Sequence, residues 1–328
     1  MIDKRLFDWH KIDTTKNLGK RVFCPKPYDT LLIDSTGSCF ACECQAWLPQ
    51  SVGNIQIKPL EEIMKSPIRK LLQQSIEDGS YRYCNSSQCS WLKSDTLHFT
   101  EKPKDTLKNI RLAIDNSCNL RCPSCRTHQI FLNRGPVLKV RFKMIEKVLD
   151  YIRGTNQHTM VHIGSDGDPF VSLVYRHLMR SVPNNPNVRY TIQTNGLLLQ
   201  KQYSKMPNIF DNMEALNISI DGATKHTYEK LRLGGSWQVI NENLQFVSEI
   251  KKFPVHLHMV VQKDNWREMP AMMQLAERLD FDKVYFNMIQ DWGTGMDFSQ
   301  QQFTHLDEFK TIVEQLDYNY RAKMFTLS

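Results

Sequence analysis

The nine cysteines of this chain are not scattered. Cys24, Cys39, Cys42, Cys44, Cys84 and Cys89 fall in its first third, Cys118, Cys122 and Cys125 fall close together, and none follows. An odd count disfavours a disulfide framework. The opening residues, Met-Ile-Asp-Lys-Arg-Leu-Phe-Asp-Trp-His, lack the apolar stretch of a secretion signal, and no run approaches the ~18 apolar residues of a membrane span. A cytoplasmic, reducing setting with no membrane is therefore expected, and thiols clustered there at short spacing read as metal ligands.

The loop Cys118-Asn-Leu-Arg-Cys122-Pro-Ser-Cys125 is the sharpest signal. Three thiolates can hold three irons of a four-iron cube and leave the fourth open to a ligand, much as a catalytic zinc keeps an open position. A zinc site completed by another ligand such as His128, and inert buried thiols, are the rival readings. Among the earlier cysteines four suffice for a closed [4Fe–4S] site, although a closed four-cysteine zinc site has the same composition.

Composition is that of a globular protein, with 41% hydrophobic and 23% charged residues. Four regions are expected: an N-terminal extension over 1–20, a Cys-rich module over 21–95, a core over 108–295 and a C-terminal helical segment over 296–328. The module contains one helical pattern, 60–76, which Pro67 must kink or split. The core alternates strands (110–115, 160–164, 188–194, 216–221, 255–262, 283–289) with helices (142–152, 173–180, 200–209, 237–251, 269–279). That rhythm implies α/β architecture with a parallel sheet. Six strands are too few for a closed eight-stranded barrel, so a partial (β/α)6 barrel is expected. Chemistry in such folds sits at the carboxyl ends of strands. There the chain places Asp115–Cys118, Gly164-Ser165-Asp166-Gly167-Asp168, Thr194-Asn195-Gly196, Asp221-Gly222 and Gln262–Asn265.

The Cys-x3-Cys-x2-Cys spacing after a first strand resembles the signature of the radical S-adenosylmethionine (SAM) superfamily. Gly164-Ser165-Asp166-Gly167-Asp168-Pro169 resembles that family's Gly-Gly-Glu-Pro turn, which holds the amino group of SAM, with Asp168 in place of the usual Glu. Thr194-Asn195-Gly196 resembles the turn after the third strand. Ser219-Ile-Asp221-Gly222 and Tyr228-Glu-Lys-Leu-Arg232 resemble the fourth-strand region, where the serine reaches the ribose and the arginine the methionine carboxylate. The resemblance covers about 108–295. It implies a [4Fe–4S] cluster on Cys118, Cys122 and Cys125, reductive cleavage of SAM to a 5′-deoxyadenosyl radical, and hydrogen abstraction from a substrate. It also implies an electron donor such as flavodoxin or ferredoxin. The N-terminal segment resembles SPASM or twitch modules, placed before the core rather than after it. That likeness implies a second [4Fe–4S] cluster on Cys24, Cys42, Cys84 and Cys89, with Cys39 and Cys44 as alternatives or substrate-facing thiols.

Some residues admit two readings. Arg232 alone could be a surface ion pair, and Asp221 a strand-end cap rather than a catalytic base. His162, His256 and His258 are core packing or substrate contacts, and Trp292-Gly-Thr-Gly295 could frame the adenine or the substrate. The net charge of +7 fits a lysine-rich solvated surface or an anionic partner, nucleic acid included. A peptide or protein substrate is the expectation. A sugar, nucleoside or nucleotide is the alternative, and a non-enzymatic electron carrier or redox sensor the reading outside enzymes.

Overall fold

The structure is a computed structural model that describes every residue except 1–22, 44–47, 49, 86–88, 90, 91, 93–100, 165, 292–296, 318–321 and 326–328. The expected N-terminal extension, Cys44, Ser165 and the 292–295 segment thus lie outside the described residues. The chain divides into two compact units. One comprises Met1–Asp115, Arg134–Ser165 and Ser181–Arg189, the other Asn116–Asn133, Asp166–Arg180 and Tyr190–Ser328.

In the first unit the strands are β1 (Thr30–Asp34), β2 (Ser38–Phe40), β3 (Ser51–Asn54), β4 (Asn109–Ala113) and β5 (Thr159–Ile163), in the order β3-β2-β1-β4-β5. Strand β1 runs parallel to β4 in register Thr30↔Asn109 through Asp34↔Ala113, and antiparallel to β2. Sequence reading found only a helix in this region. Three-to-five-residue strands carry too little alternation to show a period of two. The β1–β2 turn needs glycine: Gly37 has φ +80°, and a Cβ there would lie 2.9 Å from Asn54 Oδ1. The 60–76 pattern becomes two helices, Leu60–Ile63 and Pro67–Glu77, because Pro67 starts a new helix where its missing N–H costs nothing. Between β4 and β5, helix Pro136–Gly154 buries Met144, Ile145, Val148, Leu149 and Ile152.

The second unit contains β6 (Val188–Thr194, from Tyr190 onward), β7 (Met213–Ser219), β8 (Val255–Val261), β9 (Lys283–Met288) and β10 (Ala322–Phe325), neighbours in that order and all parallel. Strands β4 to β9 are the six expected from the sequence. The expected 200–209 helix is again broken by a proline, into Leu199–Tyr203 and Pro207–Asp211. The tail is not purely helical, since helix Asp307–Asp317 precedes β10. On β8, Val255, Leu257, Met259 and Val261 are fully buried, each worth ~1.5–3 kcal/mol. Their neighbours His256 and His258, like Gln193, Asn217, Ser219 and Tyr285 on flanking strands, are half-buried. Parallel strands with helices on both faces are usually apolar throughout. Alternation here means that the second face is lined with polar groups, and it ends at the strand termini where the site is built. Among the described residues no helix is long and apolar enough to cross a membrane.

Arg69 anchors the N-terminal fold. Its side chain is completely buried, donates to the carbonyls of Met64 and Tyr28, and pairs with Asp105. Arg69→Met removes three acceptors' partner at once, and thermal or denaturant unfolding of the first unit is expected to show a loss of about 2–4 kcal/mol.

Candidate functional site

The three-cysteine loop belongs to the second unit, and backbone bonds set its shape. Cys118 and Ile130 form an antiparallel bridge, with Cys118 N–H to Ile130 O at 2.8 Å. The N–H groups of Cys125 and Arg126 both donate to Cys122 O, at 2.9 and 3.0 Å, which curls the Cys122–Cys125 segment into a turn. Cys118 and Cys122 are buried and Cys125 is exposed. Burial pushes the Cys122 thiol up to about 11 and raises Cys118 as well, the Asp168 carboxylate adding to the latter. Such thiols stay protonated in water at neutral pH and ionise only against a metal. Among the described residues no three His, Cys, Asp or Glu side chains close on a point as they would around one metal ion. A four-iron cube is wider and takes each thiolate on a separate iron.

The turn at 166–168 is packed against this loop. A Cβ on Gly167 would lie 2.6 Å from Ser117 O and 2.8 Å from Asn116 C, so only glycine fits. Asp168 N–H donates to Ser117 O at 2.8 Å. The Asp168 carboxylate, 1% exposed, accepts four bonds: from Thr194 Oγ1 (2.7 Å), Asn195 N (2.8 Å), Phe170 N (3.0 Å) and Val171 N (3.2 Å). Burial raises its pKa against these donors. The carboxylate is thus saturated by the protein and acts as a strut between turns. Asn195 extends the strut, donating to Asn119 Oδ1 at 2.8 Å and reaching Cys118 Sγ at 3.8 Å. Gly164 ends β5 in the first unit with φ +106°.

Asp221 and Arg232 meet as a buried ion pair, Arg232 Nε lying 2.7 Å from Asp221 Oδ2. Asp221 Oδ1 accepts from Val260 N at 2.9 Å. Burial opposes the Arg232 charge, but Asp221 and Cys122 outweigh it and raise the pKa. Ser219 Oγ accepts from Gln193 Nε2 at 2.5 Å. Asp221 thus holds Arg232 beside the cysteine loop, a use for its carboxylate other than catalytic base.

Two residues escaped sequence reading. Arg126 follows the third cysteine, with Nε 3.4 Å from Cys125 Sγ and its guanidinium on Asn116 O (2.8 Å) and Asp166 O (2.6 Å). Its position directly after the motif was the available signal. Glu268 accepts from Ala223 N, Thr224 N, Thr224 Oγ1 and Thr227 Oγ1, fixing the loop between Asp221 and helix Lys225–Leu231. Nothing local in sequence could reveal a partner that distant.

In the first unit, Cys24, Cys42, Cys84 and Cys89 line one cavity with Lys26, Pro27, Ala41, Leu48, Tyr81 and Leu92. Phe23, Tyr28, Ile76 and Tyr81 form the apolar wall behind Cys24 and Cys84. Burial pushes Cys24 up to about 12 and raises Cys84 well above its ordinary value, the neighbouring thiols reinforcing both shifts. Cys39 is not in this set. It is buried on β2, with Sγ 3.7 Å from Gly37 O.

A family model described as the Radical SAM superfamily matches residues 112–276, half of the chain. The chain belongs to the radical SAM superfamily. A second model, an iron–sulfur cluster-binding domain (SPASM), matches residues 24–90, ahead of the core. The family's cofactors are a [4Fe–4S] cluster and SAM, and the SPASM region is an iron–sulfur domain. This radical SAM chain is 26% identical over 213 residues to a GTP 3′,8-cyclase of Petrotoga mobilis, covering 62% of each chain. It is 26% identical over 188 residues to a cysteine-type anaerobic sulfatase-maturating enzyme of Clostridium novyi, covering 52% of this chain and 48% of that one. Among solved structures, Streptococcus suis SuiB bound to the precursor peptide SuiA has a TM-score of 0.45 at 12% identity, covering 79% of this chain and 62% of that one. The chain spans 62% and 48% of the length of these two curated relatives.

Asp168→Asn is expected to cost about 2–4 kcal/mol, because an amide NH2 would face two donors, and thermal unfolding measures it. A pH effect follows from β8. His258 Nε2 lies 3.1 Å from Asn217 Oδ1, and burial, with His256 and Arg232 adding, holds its pKa down to about 4. The unfolded chain takes that proton first, so stability is lost as pH falls from ~6.5 towards 4, by at most about 3 kcal/mol. His258→Gln should flatten that part of a Tm-against-pH curve.

Proposed function

We propose that this chain is a SAM-cleaving radical enzyme that modifies a peptide or protein. In this reading Cys118, Cys122 and Cys125 hold the catalytic cluster, and Cys24, Cys42, Cys84 and Cys89 hold an auxiliary one. The observation that carries it is the locking of the cysteine loop to the strand-end turns: Gly167 seats against Ser117, and Asn195 bridges Asp168 to Cys118.

The chain's own residues divide the work. Gly167 lets the turn approach the loop closely, and Asp168 fixes that turn to Thr194 and Asn195, so that the main chain at Asp166 and Gly167 is held for the amino group of SAM. Arg232 turns its outer nitrogens to the methionine carboxylate, a bidentate task suited to its planar fork, and Asp221 keeps it charged and oriented. Ser219 offers its hydroxyl to the ribose. With a reduced cluster and SAM bound, the pair supplies one-electron cleavage of a sulfonium C–S bond and hydrogen abstraction from the substrate. A low-potential donor of the flavodoxin or ferredoxin type supplies the electron.

A peptidyl substrate is supported by the SPASM module together with the likeness to a sulfatase-maturating enzyme. A guanine nucleotide is the second reading, favoured by the likeness to GTP 3′,8-cyclases and by the positive net charge.

Anaerobic reconstitution with iron and sulfide, followed by dithionite and SAM, is expected to yield 5′-deoxyadenosine by mass spectrometry, and Cys122→Ala to yield none. A wild-type chain with a full core cluster and no product sinks the proposal. Arg232→Lys should weaken SAM binding about tenfold or more, read by calorimetry. GTP and cysteine- or serine-containing peptides, added separately, separate the two substrates by which one accelerates product formation.

A further inference from the structure

The four-thiol cavity has one charged residue among its described lining residues, Lys26. The chain does not leave that charge to solvent. Lys26 side chain is 17% exposed and ion-paired to Glu43, and the same Glu43 oxygen takes Arg111 Nη1 at 3.1 Å. His162, opposite Arg111 in the β4–β5 register, is half-buried, and desolvation with Arg111 beside it holds its pKa down to about 4, so it adds no charge at neutral pH. Two cations therefore meet the Glu43 carboxylate, with Asp29 a second carboxylate near Lys26, and of these groups Lys26 alone lines the thiol cavity. The backbone N–H of Lys26 also donates to Cys24.

We infer that Lys26 and Glu43 form a charge pair of opposite effect that sets the reduction potential of the auxiliary cluster. This rests on the proposed assignment of Cys24, Cys42, Cys84 and Cys89 to that cluster. Reduction adds one electron to a buried, already anionic group of iron, sulfide and thiolates. A neighbouring cation stabilises the added charge and raises the potential, while a neighbouring anion lowers it. The apolar wall of Phe23, Tyr28 and Tyr81 keeps water from screening the effect. Lys26 and Glu43 are positioning residues for an electron, since neither supplies a thiolate.

The test uses the full-length chain with Cys118, Cys122 and Cys125 replaced by Ala, so that only the auxiliary cluster is seen by EPR-monitored redox titration. Lys26→Met is expected to lower the midpoint and Glu43→Gln to raise it, each by about tenfold in the reduction equilibrium, ~59 mV for one electron. Lys26→Arg should leave it near the parent value. Opposite shifts from the two halves of one ion pair are not produced by loosened packing, which would move both the same way. Same-direction shifts, or none, overturn the inference while leaving the cluster assignment standing. If the parent binds no cluster, the four-cysteine assignment itself fails and the inference with it. If Lys26→Met alone loses its cluster, the Glu43→Gln titration decides, a raised midpoint supporting the inference and an unmoved or lowered one overturning it.

Discussion

The carboxylate of Asp168 is the constraint on which the second unit's site depends. A buried carboxylate is costly unless its oxygens are filled, and here four donors fill them from two separate turns. Satisfying that one group fixes Thr194 and Asn195 against the 166–168 turn. The Asp168 amide then ties the turn to Ser117, and Asn195 reaches Cys118. One electrostatic requirement thus determines where the first cysteine of the loop stands. A longer Glu at this position would push its carboxylate past these donors, which is the physical sense of the shorter side chain here.

Charge placement follows the same economy elsewhere. Asp221 and Arg232 are buried together, so neither is an isolated ion in a low-dielectric setting. Around Cys24, Cys42, Cys84 and Cys89 the wall is apolar apart from Lys26. An apolar wall keeps thiols protonated and makes an iron–sulfur group the natural partner for their ionised form. The two thiol sets therefore differ in kind. The core set has two buried members and an exposed one, Cys125, with an arginine on its sulfur, whereas the four N-terminal thiols are all half-buried around one cavity.

The polar face of β7 to β9 extends the site along the strands. Asn217 Oδ1 lies 3.1 Å from both His256 Nδ1 and His258 Nε2, and Tyr285 stacks on His258 at 4.6 Å. These side chains satisfy one another, so the face is preorganised before any substrate arrives. A parallel sheet that spends half its alternation on polar groups gives up apolar burial there, and the fully buried opposite rows of β6 and β8 carry the stability instead.

Sequence alone determined the family, the six core strands and the likeness of the cysteine spacing to a cluster loop. Those features are local: a Cys-x3-Cys-x2-Cys spacing, a glycine-rich turn and a period of two are read within a dozen residues. Pro67 and Pro207 are local breaks of the same kind, although the apolar pattern over 200–209 runs straight through Pro207. The short strands β1 to β3 were not legible, because three to five residues show little alternation and β1 is paired with β4 by residues some eighty positions away. The likeness to SPASM modules singled out Cys24, Cys42, Cys84 and Cys89, and only the folded chain brings those four to one cavity and leaves Cys39 on a strand. The strut role of Asp168, the pairing of Asp221 with Arg232 and the clamp from Glu268 are also tertiary. Each is a charged group whose partner is chosen by burial, and burial is a property of the packed chain rather than of any segment of it.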